Sequence, residues 1–296
     1  MLLPTKIPIP TLNDEKKDFF FLFELFDLLK KSPTYYHELD FSFCKFLRPN
    51  AVAFIGGVIR FFEKKDKTIK ILWDTLIPSI SASLTQNGFG ATFGYCLRKE
   101  DPGHAIPYRE DVLENADEII NYLVDNWIGK GWVQVSPKLC NHIAGKMWEI
   151  YANSFEHSQT PIGVFTCGQH FRHHNELVLS VIDFGVGIPA TVKEFLNSDP
   201  RAATLPADAC LRWAFESGNT TTVGVPRGLG LSLLQEFISV NKGTLELYSS
   251  DGYVKMSNDG EVFQNNSHCF NGTVLHITLV CDEKYYLFKD ELEGII

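Results

Sequence analysis

Apolar residues recur at helical spacing from Asn13 to Lys31, a stretch crowded with phenylalanine and leucine, and predict a helix there. "YHELDFSF" (Tyr36 to Phe43) reads as a strand. In "RPNAVAFIGGVIRFFEKKDK", Ile55, Val58, Ile59 and Phe62 share one face of a second helix. "TIKILWD" (Thr68 to Asp74) alternates as a strand does, and a helix from Ile77 to Thr85 stops before "QNGFG". This order predicts a small α/β unit, set at residues 1–130. Tyr95 to Asp111 reads as connecting loop with room for a strand. A further helix is expected from Glu110 to about Trp127.

A second unit is expected over residues 131–296, after the break "IGKGW". Ser136–Pro137 makes a good helix start, with Ser at the N-cap and Pro at the first helical position. The helix that follows carries "EIYANSFEHS". Strand patterns appear in "GVFTCGQHF", "ELVLSVIDFG", "GTLELYSS", "YVKMS" and "TVLHITLV", and helical ones in "ATVKEFL", "DACLRWAFES" and "LSLLQEFISVN".

With 296 residues, 45% of them hydrophobic, the chain can build a substantial core. The net charge of −9 and the lack of any Lys/Arg run argue against general nucleic-acid binding. Seven scattered cysteines without a CxxC pair fit reduced thiols in the cytoplasm. "MLLPTKIPIPTLNDEKKD" breaks its apolar residues with prolines, so no signal peptide is expected. The run Phe19 to Leu29 contains Glu24 and Asp27, and Ala51 to Ile59 is too short for a bilayer, so no membrane span is expected.

Three stretches hold candidate chemistry. Glu149, Asn153 and Glu156 are spaced by four and three, which puts them on one helical face near His142 and Lys146; taken alone, such a stripe is an ordinary solvated face. "LVLSVIDFGVGIP" ends a buried-type strand at Asp183 and continues as DxGxG. A carboxylate there can accept a hydrogen bond from an exocyclic amine, and glycines let a ring or phosphate approach the backbone; an Asp–Gly turn is the plain alternative. "PRGLGLSLL" sets glycines at a helix entry, where backbone N–H groups favour a phosphate, with Arg227 beside them.

Taken in order, an ExxxN helix, a strand ending in DxGxG and a GxGL opening a helix resemble the GHKL ATPase superfamily. Its members include the DNA gyrase B subunit, histidine kinases and MutL. The resemblance covers about residues 136–281. It implies a C-terminal two-layer α/β sandwich (the Bergerat ATP-binding fold), with helices on one face of a mixed sheet. It further implies ATP and Mg²⁺ as cofactors, Asn153 as the Mg²⁺ ligand, Glu149 as the base that activates water, and Asp183 as the adenine anchor. Gly185 and Gly187 would lie under the adenine pocket. Gly228 and Gly230, with Arg227 and Leu229 between and beside them, would bind on the phosphate side. Phe184 departs from the family, where a polar residue usually follows the Asp, and Pro226–Arg227 departs where a small residue is common.

The first unit is similar to STAS domains in "ELDFSFCKFLRPNAVAFIGGVI". STAS domains are partners and substrates of GHKL serine kinases, but the serine phosphorylated at the helix start has no counterpart in "RPNA" (Arg48 to Ala51). Docking of a protein partner is therefore expected of this unit, and a homo-oligomer is a separate expectation for the chain. The implied activity is a slow ATPase working as an ATP-gated switch. An anti-sigma-type serine kinase and a binding module without turnover are the alternatives. His37–Glu38 resembles a phosphoacceptor box, yet lies in a strand-like segment and reads as a surface histidine. His173–His174, with Cys167 and His170 nearby, lacks closed metal-ligand spacing and reads as an exposed turn.

Overall fold

The computed structural model describes residues 5–97, 103–157, 160, 162–216, 218–219 and 230–292. β1 (Thr5–Pro8), α1 (Lys16–Lys31), β2 (Tyr36–Asp40), α2 (Pro49–Glu63) and β3 (Thr68–Ile71) come first. The three strands pair in parallel in the order β1-β2-β3. Parallel neighbours need a crossover, and the two helices provide it. α3 (Pro78–Gln86) and the short α4 (Phe89–Thr92) lead to β4 (Ala105–Asp111), α5 (Ala116–Asn126), β5 (Gln134–Val135) and α6 (Pro137–His157). The hairpin of β6 (Val164–Phe171) and β7 (Glu176–Asp183) is followed by α7 (Ile188–Phe195), α8 (Ala207–Phe215) and α9 (Gly230–Asn241). Two long strands, β8 (Thr244–Ser257) and β9 (Gly260–Val280), precede β10 (Tyr285–Tyr286) and α10 (Lys289–Leu292).

The main sheet has five strands in the order β4-β6-β7-β9-β8, antiparallel at every pair. β7 is central and alternates strictly. Leu177, Leu179 and Val181 join one core with Ile143 and Met147 of α6 and Ile238 of α9. Ile182 joins the other, with Phe54 and Phe62 of α2 and Phe26 of α1. A strand apolar on both sides reads as an unbroken hydrophobic run, which is the pattern of "ELVLSVID".

The expected mixed sheet with helices on one face is therefore corrected. The sheet is wholly antiparallel, and the parallel pairs belong to separate small sheets. Helices cover both of its faces, because α1 and α2 pack on the side opposite α5, α6 and α9. β4 is the strand for which the loop reading of Tyr95 to Asp111 left room, and it forms one sheet edge. The helix expected from Glu110 starts at Ala116, capped by Asn115, whose Oδ1 accepts from the Glu118 N–H at 3.2 Å. "GTLELYSS" and "YVKMS" are one strand, bent where the register shifts between Ser249 and Gly252. Among the described residues, no helix is long and apolar enough to cross a membrane.

α2 is buried nearly all round, because it lies between the two sheets. Two adjacent glycines permit its close approach to the main sheet. A Cβ on Gly57 would lie 2.0 Å from the Phe184 ring, and one on Gly56 would lie 2.1 Å from the Tyr108 hydroxyl. Polar ties flank this contact. Arg60 Nε donates to both carboxylate oxygens of Glu110, at 3.0 and 2.9 Å, and Tyr108 Oη donates to the same group at 2.8 Å. Arg48 Nη1 lies 2.9 Å from Asp14 and 3.1 Å from Glu176, with its guanidinium 4.1 Å above the Phe171 ring.

Two glycine-to-alanine changes should have opposite signs. Alanine is favoured over glycine by about 1 kcal/mol inside a helix. Gly145→Ala in α6, where a Cβ would meet nothing within 4 Å, should raise stability by roughly that amount. Gly57→Ala should instead lower it by about 1–3 kcal/mol through overpacking. Urea denaturation of both variants checks the pair.

Candidate functional site

Residues at both ends of α6 hold it in place. Ser136 Oγ accepts from the Leu139 N–H at 3.1 Å, the expected N-cap, and donates to Glu291 at 2.8 Å. The Ser136 N–H donates to the Tyr286 carbonyl at 2.8 Å, where β10 pairs with β5. Further along, Tyr151 is buried, its hydroxyl 2.6 Å from Thr166 on β6. The other face carries the polar stripe. Glu149 is partly exposed, and Asn153 and Glu156 are exposed. Lys146 Nζ donates to Glu149 Oε1 at 2.7 Å, one turn away.

Asp183 ends β7 and faces α6. It is buried, 3% exposed. Its Oδ1 accepts from the Gly185 N–H at 2.9 Å, and its Oδ2 accepts from Ser154 Oγ at 3.2 Å. Thr273, its register partner on β9, donates to it as well. Burial pushes the Asp183 carboxyl up to about 6, against the pull of these donors from Gly185, Ser154 and Thr273. Hydroxyls and backbone N–H groups surround the carboxylate, and hydroxyls can turn. That donor set suits a neutral N–H ligand such as an exocyclic amine.

The loop after Asp183 is shaped by its second glycine. Gly187 has φ +82°, and a Cβ there would meet Ser249 Oγ at 2.8 Å. The Ile188 N–H that opens α7 donates to the same Ser249 Oγ at 2.8 Å. Gly185 is half-buried beside the carboxylate. The fold thus brings Asp183 to the flank of α6, with Ser154 touching it one residue after Asn153, and sets Gly187 against Ser249 of β8 and Gly272 of β9. Arg227, Gly228 and Leu229 lie outside the described residues, and Gly230 is the first residue of α9.

Sequence reasoning missed Ser154 and Thr273. Ser154 could have been found, since it lies three residues after Tyr151 on the sheet-facing side of the same helix. Thr273 could not, because its place opposite Asp183 depends on strand pairing across the sheet. The reading of His37 as a surface residue is also corrected. It is fully buried in β2, its Nε2 3.0 Å from the Thr34 carbonyl, so it is closed to a phosphoryl donor. His173 and His174 are exposed in the β6–β7 turn.

Two other features of the described residues stand apart from this site. Ser180, His276 and Asp14 form a string, with Ser180 Oγ 2.8 Å from His276 Nδ1 and His276 Nε2 3.4 Å from Asp14. Ser180 is fully buried, and His276 nearly so, beneath Phe19. A cleft of about 270 Å³ lies at the far end of α6, lined by Val124, Ile128, Pro137, Cys140 and Asn141 among others, and contains none of the predicted site residues. Among the described residues, no group of three or more His, Cys, Asp or Glu side chains could hold a metal ion. One Asn oxygen supplemented by phosphates and water is a different arrangement, and an exposed Asn153 suits it.

The Asp183 carboxyl generates a pH prediction. A carboxyl raised in the folded state favours its protonated form there. Its contribution is therefore most favourable below about pH 4 and is lost as pH rises through about 6. Between pH 4 and 7, wild type should lose roughly 2–3 kcal/mol relative to Asp183→Asn, which cannot ionise. Parallel denaturation curves at the two pH values measure the difference, and equal slopes would contradict it.

Compared with protein-family models and with curated proteins, the chain matches none.

Proposed function

We propose that the chain binds ATP with Mg²⁺ at the end of β7 and acts as an ATP-gated regulatory protein with slow ATPase activity. The observation that carries this reading is the buried Asp183 carboxylate, held by Ser154 of α6 within one residue of Asn153. The residue that follows the ExxxN motif thus donates a hydrogen bond to the aspartate of DxGxG, in keeping with a GHKL-type nucleotide site. In this reading Asp183 accepts a hydrogen bond from the adenine amine. The Ser154 and Thr273 hydroxyls orient the carboxylate and can turn toward a ring nitrogen. Asn153 offers an oxygen to Mg²⁺, which when bound offsets negative charge on the phosphates. Glu149 holds the proton of an attacking water, and Lys146 fixes its rotamer while lying ready to exchange it for a phosphate oxygen.

Helices on both faces of the sheet fit a regulatory role. A STAS-like first unit would report nucleotide occupancy through α1 and α2, which touch the strands that carry the site.

Millimolar ATP with Mg²⁺ should raise the melting temperature by several degrees, as expected for a ligand well above its Kd. Asp183→Asn should abolish the shift. Glu149→Ala should keep it and lose release of free phosphate. Labelled ATP yielding phosphoprotein rather than free phosphate would identify a kinase instead. A wild-type protein unmoved by ATP would overturn the nucleotide reading.

A further inference from the structure

Asp183 and Phe184 are consecutive, and they point to opposite faces at the end of the central strand. Asp183 faces α6 and its Ser154 hydroxyl. Phe184 faces α1 and α2. Its ring, 3% exposed, lies 5.4 Å from that of Phe26 on α1 and 5.3 Å from that of Phe54 on α2. Phe165 and Phe270 close the other sides at 5.8 and 5.3 Å. The ring edge fills the space that Gly57 leaves by lacking a Cβ. Past the glycines, the loop is pinned again by the Ile188 N–H on Ser249. The stretch that carries the carboxylate is therefore fixed on one side by side chains from the first 63 residues. In an interior packed as closely as a crystal, a shift of α2 cannot be absorbed before it reaches Phe184.

We propose that Phe184 is a positioning residue through which α1 and α2 hold the Asp183 carboxylate in its buried, hydroxyl-lined place, so that the N-terminal unit sets the ligand affinity of that site. The affinity half of this statement rests on the reading of Asp183 as the acceptor of the adenine amine. The positioning half stands on packing alone. It also accounts for the departure from the family at this residue: a polar side chain after the Asp could not fill the notch at Gly57 or join the aromatic cluster.

The test follows Asp183 itself. Carboxyl-labelled full-length protein without nucleotide is titrated by carbon-13 NMR, and ATP–Mg²⁺ affinity is measured by calorimetry on the same samples. Phe184→Leu and Gly57→Ala attack the contact from its two sides, so one serves if the other fails to fold. Ile128→Ala, a fully buried position in the other core at the far end of α6, is the control for general destabilisation. In both contact variants the Asp183 midpoint should fall from about 6 by about one unit as the site loosens and hydrates. ATP should bind at least about threefold more weakly, within the range of mutational coupling between packed sites. Ile128→Ala should lose stability and leave both readouts unchanged. Unchanged midpoints in the two contact variants, or an equal change in Ile128→Ala, would overturn the positioning role. Shifted midpoints in a protein that binds no ATP would uphold that role and defeat the nucleotide reading instead.

Discussion

The close approach of α2 to the main sheet is the contact on which the rest of the structure depends. Packed helices ordinarily stay 8–10 Å from their neighbours because side chains intervene. At Gly56 and Gly57 the helix contributes no side chain, and Phe184 and Tyr108 of the sheet side occupy the place of the missing methyls. Two glycines in a helix cost about 1 kcal/mol each in propensity. Burial of one phenylalanine ring contributes about 1.5–3 kcal/mol, and this contact helps to bury several. The balance favours the notch. With α2 so placed, α1 follows, and its Phe23 stacks on Phe270 of β9 at 5.2 Å. The first unit thereby becomes one wall of the sheet's core, and the polar ties of Arg60 to Glu110 and of Arg48 to Asp14 and Glu176 fix its register.

The same arrangement explains a feature that stability alone would not select. Asp183 is a carboxyl group in a nearly dry place, with its ionised form disfavoured. Local rules are usually broken where function requires it, and on the proposed reading this buried acceptor, ringed by neutral donors, recognises an N–H ligand. Its neighbour in the chain is locked into the aromatic core while its own side faces α6. The aromatic core and the buried carboxylate thus meet at consecutive residues.

Much of the fold was legible in the pattern of the chain. Ser136–Pro137 announced α6, and the run "ELVLSVID" announced a strand buried on both faces, although not what covered its second face. That covering is a tertiary fact. It depends on α2 being apolar round its whole circumference, and the face of Ile55, Val58, Ile59 and Phe62 shows only part of that. β4 was legible only as an alternative to loop, because "AIPYRED" mixes a proline and charges into a short edge strand, where Glu110 and Asp111 are held by Arg60 and Arg109. The long β8 was read as two strands because the bulge near Ser250 interrupts alternation. At the candidate site, spacing singled out Glu149, Asn153 and Asp183. Phe184 entered only as a departure from a family pattern, and its partner Gly57 lies more than a hundred residues away, beyond the reach of any local motif.

Recognition of an adenine amine by Asp183 is the central claim, and one atom of the ligand tests it most directly. Inosine triphosphate carries a carbonyl where ATP carries the exocyclic amine and is otherwise nearly its match. A buried site built around a hydrogen bond rejects an analogue that leaves its polar group unpaired. Calorimetric titration of the full chain with each nucleotide and Mg²⁺ at pH 7.5, where Asp183 is ionised, should show ATP binding and inosine triphosphate bound at least about tenfold more weakly. Equal affinity for the two nucleotides, or no binding of either, would contradict the account.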